Sequence, residues 1–365
     1  MLEIIRHSSS TLLRSDFSFI KGFAQENFVG YGSLCKDLEH QLAEKFSRTG
    51  VVLTGSAEGA LELVLHQLQT KNPGKSEVVV SSYVCPAVVS AIIAQGLKPV
   101  FADLAEGSLN LGLDDVSQHR LSQKTLAILC THMGGFPDDV LGAMEFNIPV
   151  ISDCAQAIGS GIAGKSLLTF GEMSITSFGP TKFMTSGLGG AVLCDGQDSF
   201  NIQCFATPEL SVEAYKEHGF IRTIGQHVSD LNAGLALAQL EHLDIFVKKR
   251  MRIKNRYDKA LCDLPNLDFP KKVEGAEPNW FRYYFFSDYA HEWQRRLQLL
   301  GIDARNSISH VMTDYFPGEA VREMLAKQAH RVVSIPIYPG LKDNQVTRIV
   351  EALQHVAAEI TGGVG

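Results

Sequence analysis

Apolar residues fall along this chain in short uninterrupted runs. VVLTG from Val51, EVVVSSY from Glu77, KPVFADL from Lys98, LAILCTHM from Leu126, IPVISDCAQ from Ile148, MSITSF from Met173 and GGAVLCD from Gly189 each read as a strand. They are apolar throughout instead of alternating with polar residues, as strands covered on both faces should be. Several begin roughly 20 to 25 residues apart, the rhythm of βα units. The expected fold is α/β, a mostly parallel seven-stranded sheet sandwiched by helices. The last two runs break the rhythm, because the residues between MSITSF and GGAVLCD are too few for a crossover helix. That pair is expected to be antiparallel or otherwise irregular.

After a helical stretch from Ser229 to Leu261 the pattern changes. A smaller α+β unit follows, with a strand in WFRYYFFSD from Trp280, a helix from about His291 to Leu300, and a closing helix after SIPIYPGLKDNQ at Ser334. The expected division is a large α/β domain over residues 1–245, with an N-terminal arm, and a small C-terminal α+β domain over residues 246–365.

Composition narrows the function. A chain of 365 residues with 45% hydrophobic and 20% charged residues can bury a large core. Its net charge of −7 comes without a basic stripe, which argues against nucleic acid as a partner and for a small-molecule enzyme. The opening MLEIIRHSSSTLLRSDF mixes acid and base and lacks the apolar core of a secretory leader, and no run approaches about 18 apolar residues, so no membrane span is expected. The seven cysteines are scattered, with no paired metal spacing. A reduced, cytoplasmic protein without a metal is the expectation.

In an open α/β sheet the ligand site lies beyond the carboxyl ends of the strands. After VVL comes TGSAEGALELVLHQL, a helix opening near Ser56, whose first amides can hold a phosphate or simply be capped by Thr54 or Ser56. GYGSLC at Gly30 and GSAEG at Gly55 lack the spacing of a dinucleotide fingerprint, and there is no P-loop. Asp153 closes the strand IPVIS, where an acid needs a partner; a helix cap, a structural ion pair and a functional role are all open to it. In SFGPTKFMTSGLGGAVLC, Ser177 to Cys194, Lys182 is the one charged residue, and the nearest acids in sequence are Glu172 and Asp195. A lysine stripped of hydration loses its proton more readily, and its neutral amine can form an imine with an aldehyde cofactor. A solvated loop lysine is the alternative reading, against which the surrounding glycines argue for a tightly shaped backbone.

TGSAEGALELVL, VVVSSYVCPAVVSAIIAQGLKPVFADL, PVISDCAQAIGS, TSFGPTKFMTSGLGGAV, SDLNAGLALAQL and VVSIPIYPGL together resemble the DegT/DnrJ sugar-aminotransferase family, pyridoxal-phosphate enzymes with the aspartate-aminotransferase fold (fold type I). The most specific element is Asp-x-x-Gln followed by Ser-x-x-x-x-Lys, and the similarity covers nearly the whole chain. The resemblance implies that Lys182 forms a Schiff base with pyridoxal 5'-phosphate, Asp153 pairs with the pyridine nitrogen, Gln156 bonds the phenolic oxygen, and Ser177 binds the phosphate with the amides of Ser56, Ala57 and Glu58. It further implies an amino acid donor, L-glutamate by analogy, a keto sugar, nucleotide-linked, as acceptor, and a homodimer with a shared active site. Relatives with histidine at the lysine position dehydrate, so the lysine favours transamination; a dehydratase or lyase, and a cofactor-binding regulator without turnover, are the alternatives. Two departures stand out. Cys85 occupies the place where many relatives set an aromatic residue over the ring, and Gly225 the place of an asparagine from the partner subunit, with Gln226 or His227 as replacements. Three residues carry weaker expectations: His132 facing the site or bracing it, Arg305 reaching a substrate carboxylate or phosphate or lying in solvent, and the Tyr83 hydroxyl approaching the cofactor or capping its strand.

Overall fold

Seven strands hydrogen-bond into one sheet in the computed structural model, which describes residues 3–18, 30–206, 227–308, 311–316 and 322–362. They are β1 Gly50–Thr54, β2 Glu77–Ser81, β3 Lys98–Ala102, β4 Thr125–Cys130, β5 Val150–Asp153, β6 Met173–Ser177 and β7 Gly190–Cys194. Their spatial order is β1-β7-β6-β5-β4-β2-β3. The pairs β2 with β3, β2 with β4, β4 with β5 and β5 with β6 are parallel, whereas β7 runs antiparallel to both β6 and β1. The short connection before β7 therefore does what its length requires, turning the chain back along its neighbour.

Successive side chains of a strand serve opposite faces, and here each face has its own core. Val51, Leu53 and Val79 join one hydrophobic cluster with Leu38 and Leu42 of helix α1, Ser33–Lys45. Val52, Val78 and Val80 join another with Leu61, Val64 and Leu68 of helix α2, Ala57–Lys71, and Val89 and Ile92 of helix α3, Pro86–Ala94. Double coverage explains why these runs are apolar without alternation.

The expected domain boundary at 245/246 falls inside a helix. The stretch from Ser229 to Leu261 divides at His242 into α4, Asp230–Glu241, and α5, Leu243–Leu261. The buried stripe of α5, Leu243, Phe246, Arg250, Ile253, Tyr257 and Leu261, follows helical spacing without a break. Leu243 and Phe246 pack in the core of the large unit, and Ile253, Tyr257 and Leu261 in that of the small one. The small unit is built on β8, Tyr283–Phe286, antiparallel to β9, Val332–Ile335, with helices α6, Ala290–Leu299, and α7, Asp343–Gly362. The N-terminal arm touches both units: Asp16 accepts from Gln239 Nε2 of α4 at 2.6 Å, whereas the arm's first residues reach the small unit. Ile5 lies in the core of the small unit, donates its N–H to Gly301 O at 2.8 Å and accepts from the Asp303 N–H at 3.0 Å. Among the described residues no helix is long and apolar enough to cross a membrane, and no His/Cys/Asp/Glu group is placed to hold a metal.

Candidate active site

The carboxyl ends of β5 and β6, the mouth of α2 and the start of α3 surround a cavity of about 270 Å³. Ser56, Ala57, Glu58, Cys85, Asp153, Gln156, Ser177 and Lys182 all line it, so most of the residues singled out in sequence meet at one place. Met133 and Thr131 add to the wall beyond β4.

Asp153 ends β5 and is 5% exposed. One oxygen accepts the Ala155 N–H at 2.9 Å, a local turn that fixes the carboxyl group as the chain leaves the sheet. Burial pushes its pKa up to about 6, against the hydrogen bond from Ala155 and the charge of Lys182. Lys182 is half-buried, and desolvation lowers its pKa below the usual lysine value; Asp153 and Cys85 oppose the shift and Arg282 adds to it. Among the described residues no ion pair joins Asp153 to Lys182. A carboxyl group and an amine thus share one cavity, each disfavoured in its charged form and neither neutralised by contact.

The lysine connection is shaped by its backbone. Phe178 N–H donates to Gly189 O at 2.8 Å, Ser186 N–H to Phe178 O at 2.9 Å, and Lys182 N–H to Gly179 O at 3.1 Å. Ser177 Oγ accepts the Gly179 N–H at 3.3 Å, while Asn232 of α4 donates to Ser186 O at 2.8 Å. Opposite, Ser56 caps α2 by accepting the Gly59 N–H at 3.1 Å. The amides of Ala57 and Glu58 open the helix and have no carbonyl one turn back to bond. Gly190 packs directly on this mouth: a Cβ there would lie 2.6 Å from both Ala57 N and Ser56 C.

Gln156 is held from one side. Its Oε1 accepts the Gly134 N–H at 2.9 Å, and its Nε2 donates to Met133 Sδ at 3.5 Å, a weak acceptor that a better one can replace. Cys85 is exposed and stands at the N-terminal cap position of α3 on the cavity wall, without a capping side-chain bond and without the ring that many relatives are expected to carry there.

Other expected residues lie elsewhere. Tyr83 is wholly buried; its hydroxyl donates to Asn306 Oδ1 and accepts the Ile308 N–H at 3.3 Å, tying the end of β2 to the small unit instead of reaching the cavity. His132 is also buried, with φ of 45°. Its Nδ1 accepts the Asp138 N–H at 2.9 Å, which leaves the proton on Nε2, 2.8 Å from Ser152 Oγ, and Ser152 in turn donates to Leu167 O. Burial lowers this imidazole to about 3, so it stands neutral, a brace beneath the strand ends. Arg305 is ion-paired with Asp303, its side chain 55% exposed, and does not line the cavity. His227, expected to act on a partner subunit's site, is exposed in its own chain, and Gly225 and Gln226 fall outside the described residues.

Arg282 escaped the sequence reading. It follows Phe281 in an aromatic run, and its N–H donates to Gly134 O at 2.9 Å, so it is anchored to the same glycine as Gln156. The Phe281 ring centroid lies 4.4 Å from its guanidinium carbon and 5.8 Å from Lys182 Nζ. Isolation of one charge among apolar residues, the signal that marked Lys182, was present here too.

The family model of the DegT/DnrJ/EryC1/StrS aminotransferases matches residues 14–354. The chain belongs to this family. GDP-perosamine synthase of Vibrio cholerae is 28% identical over 76% of this chain and 79% of its own length. The dTDP-4-dehydro-2,6-dideoxy-D-glucose 3-dehydratase of Saccharopolyspora spinosa is 24% identical over 97% of this chain and 87% of its own. In fold, the chain matches the crystal structure of the aminotransferase TlmJ from Streptoalloteichus hindustanus with a TM-score of 0.86, at 23% identity, over 98% of this chain and 100% of that one.

Membership in the DegT/DnrJ/EryC1/StrS family makes the protein a pyridoxal-phosphate-dependent aminotransferase, and the cavity fits that cofactor. Its buried carboxyl group has no ion-pair partner among the described residues, its amine is depleted of water, and its helix mouth packs so closely on Gly190 that a Cβ there would push on the Ser56 and Ala57 backbone. Gly190→Ala should therefore weaken pyridoxal-phosphate binding about tenfold or more, the cost of overpacking a close contact. Titrating the cofactor-free protein by absorbance measures this, and unchanged affinity would remove the helix mouth from the phosphate site.

Proposed function

We propose that this aminotransferase moves an amino group from L-glutamate to the keto group of a nucleotide-linked sugar, with Lys182 as its proton carrier. The observation that carries the reading is the unneutralised pair in one cavity, Lys182 with a lowered pKa and Asp153 with a raised one. Bound pyridoxal phosphate supplies an aldehyde for amines and a ring that withdraws electrons from the substrate carbon. Asp153 offers the buried negative charge that holds a proton on the ring nitrogen. Ser177 and the amides of Ala57 and Glu58 grip the phosphate, and Gln156 turns its Nε2 from Met133 to the phenolic oxygen. The lowered lysine pKa lets Lys182 take a proton from the substrate carbon as base and return it as acid. A lysine at this position also favours transamination over dehydration, the outcome that the family resemblance ties to histidine there.

The acceptor class is supported by the V. cholerae relative, named for a GDP-linked amino sugar. A homodimer with a shared active site is part of the same reading. Leu188 in the lysine connection is 66% exposed and Leu231 of α4 44% exposed; the bond from Asn232 to Ser186 brings their segments together, an apolar patch suited to a partner subunit beside the site. Sedimentation of the purified protein as a monomer would remove that part. Cytoplasmic residence completes the proposal. For the reaction, adding L-glutamate to the loaded enzyme should bleach the visible band of the lysine-bound cofactor and release 2-oxoglutarate. A spectrum indifferent to every amino donor would defeat the transaminase reading.

A further inference from the structure

The guanidinium of Arg282 has no hydrogen-bond or ion-pair partner among the described residues, although its side chain is half-buried and desolvation pulls its pKa down to about 10. Its cationic neighbours are differently placed. Arg305 is neutralised by Asp303. Arg250 donates to Trp280 O and Phe281 O, each at 3.1 Å, and to Ile337 O at 2.7 Å. Arg282 alone of the three makes no hydrogen bond or ion pair with the described residues; its guanidinium stacks on the Phe281 ring and otherwise faces solvent. The desolvation of an arginine is normally offset by a carboxylate or phosphate, and its rigid fork suits both.

Its position relates it to the chemistry. Lying 4.4 Å and 5.8 Å from one ring centroid, the guanidinium carbon and Lys182 Nζ are at most about 10 Å apart. Arg282 does not itself line the cavity, but a separation of this size is one that a substrate held at Lys182 and extending past Phe281 spans. The backbone bond to Gly134 keeps Arg282 in register with Gln156, which shares that glycine.

We infer that Arg282 is a substrate-binding residue that receives an anionic oxygen group, a carboxylate or a phosphate, of the molecule whose carbon reacts at Lys182. The inference rests on the aminotransferase reading of the cavity and gives the substrate a second point of attachment. It also reassigns a role that the sequence suggested for Arg305, whose charge is already occupied.

Two sources of that anion are separable with the cofactor-loaded enzyme: the carboxylates of the amino donor and the diphosphate of a nucleotide sugar. Calorimetric titration of the parent, Arg282→Gln and Arg282→Lys with 2-oxoglutarate in one arm and thymidine diphosphate in the other measures binding without turnover. Arg282→Gln should weaken at least one probe by about tenfold or more, as expected for loss of a charged hydrogen bond, with partial recovery in Arg282→Lys. Loss of 2-oxoglutarate alone identifies the donor carboxylate, and loss of thymidine diphosphate alone identifies the diphosphate. If neither probe binds the parent, or both bind Arg282→Gln as tightly as the parent, the inference is overturned. Because Arg282→Gln removes an unneutralised charge, its melting temperature should not fall. Failure of the aminotransferase reading would show separately, as a visible band that no amino donor bleaches.

Discussion

Lys182→Ala should lower the rate of amino transfer by at least about a thousandfold, within the range that a positioned acid–base group supplies, while the protein stays folded. The methylene stem lies in a connection whose shape is set by main-chain bonds, Phe178 with Gly189 and Ser186 with Phe178, none of which uses the lysine side chain. The variant should still bind pyridoxal phosphate through the helix mouth and Ser177, though without the visible spectrum of the lysine-bound form. Single-turnover mixing with L-glutamate, together with circular dichroism, measures both halves. Near-parental rates would place the proton carrier elsewhere.

Asp153→Asn should act in opposite directions on stability and on chemistry. A folded pKa of about 6 against an unfolded value of 3.8 means that the folded cofactor-free protein holds the extra proton between those limits. The contribution is therefore present below about pH 3.8 and is lost as pH rises through 6. Above pH 6 the cofactor-free parent carries an unneutralised carboxylate that costs on the order of 3 kcal/mol, from about 1.4 kcal/mol per pH unit. Asparagine does not carry that charge, so cofactor-free Asp153→Asn should melt higher than the parent at pH 7.5, with a smaller difference at pH 5. With the cofactor bound the order should reverse, and the glutamate reaction should slow by about a hundredfold or more through loss of buried electrostatic support. Melting curves at both pH values, with and without cofactor, test the pair of effects. A cofactor-free variant no more stable than the parent at pH 7.5 would show that the carboxylate is already compensated.

The sheet and the two principal charges were legible in the sequence for one reason: both were set off from their surroundings. Doubly covered strands leave uninterrupted apolar runs, and Lys182 and Asp153 stand out in such surroundings because a buried charge must have a use. Tyr83, His132 and Arg305 look similar in sequence, yet their polar atoms are occupied by Asn306, by Asp138 and Ser152, and by Asp303. Which polar group is already satisfied depends on folded neighbours, and for Tyr83 that neighbour lies far along the chain. The stripe of α5 serves two cores without changing period, so no break in the pattern marks where the chain passes from one to the other. Arg282 was hidden by its aromatic company, which reads as core.

The placement of Ile5 bears on the order in which the molecule can assemble. Its pairing partners flank Ile302, so roughly 300 residues of chain lie between the two sides of that contact. A chain emerging from the ribosome can form the βα units of the large sheet from neighbouring segments, but must leave this early residue waiting until the small unit arrives. Closing this contact carries the entropy cost of a very long loop, so it is expected late in folding. Refolding should show Trp280 and Trp293, both in the core of the small unit, reaching their native fluorescence after the main sheet has acquired its circular dichroism.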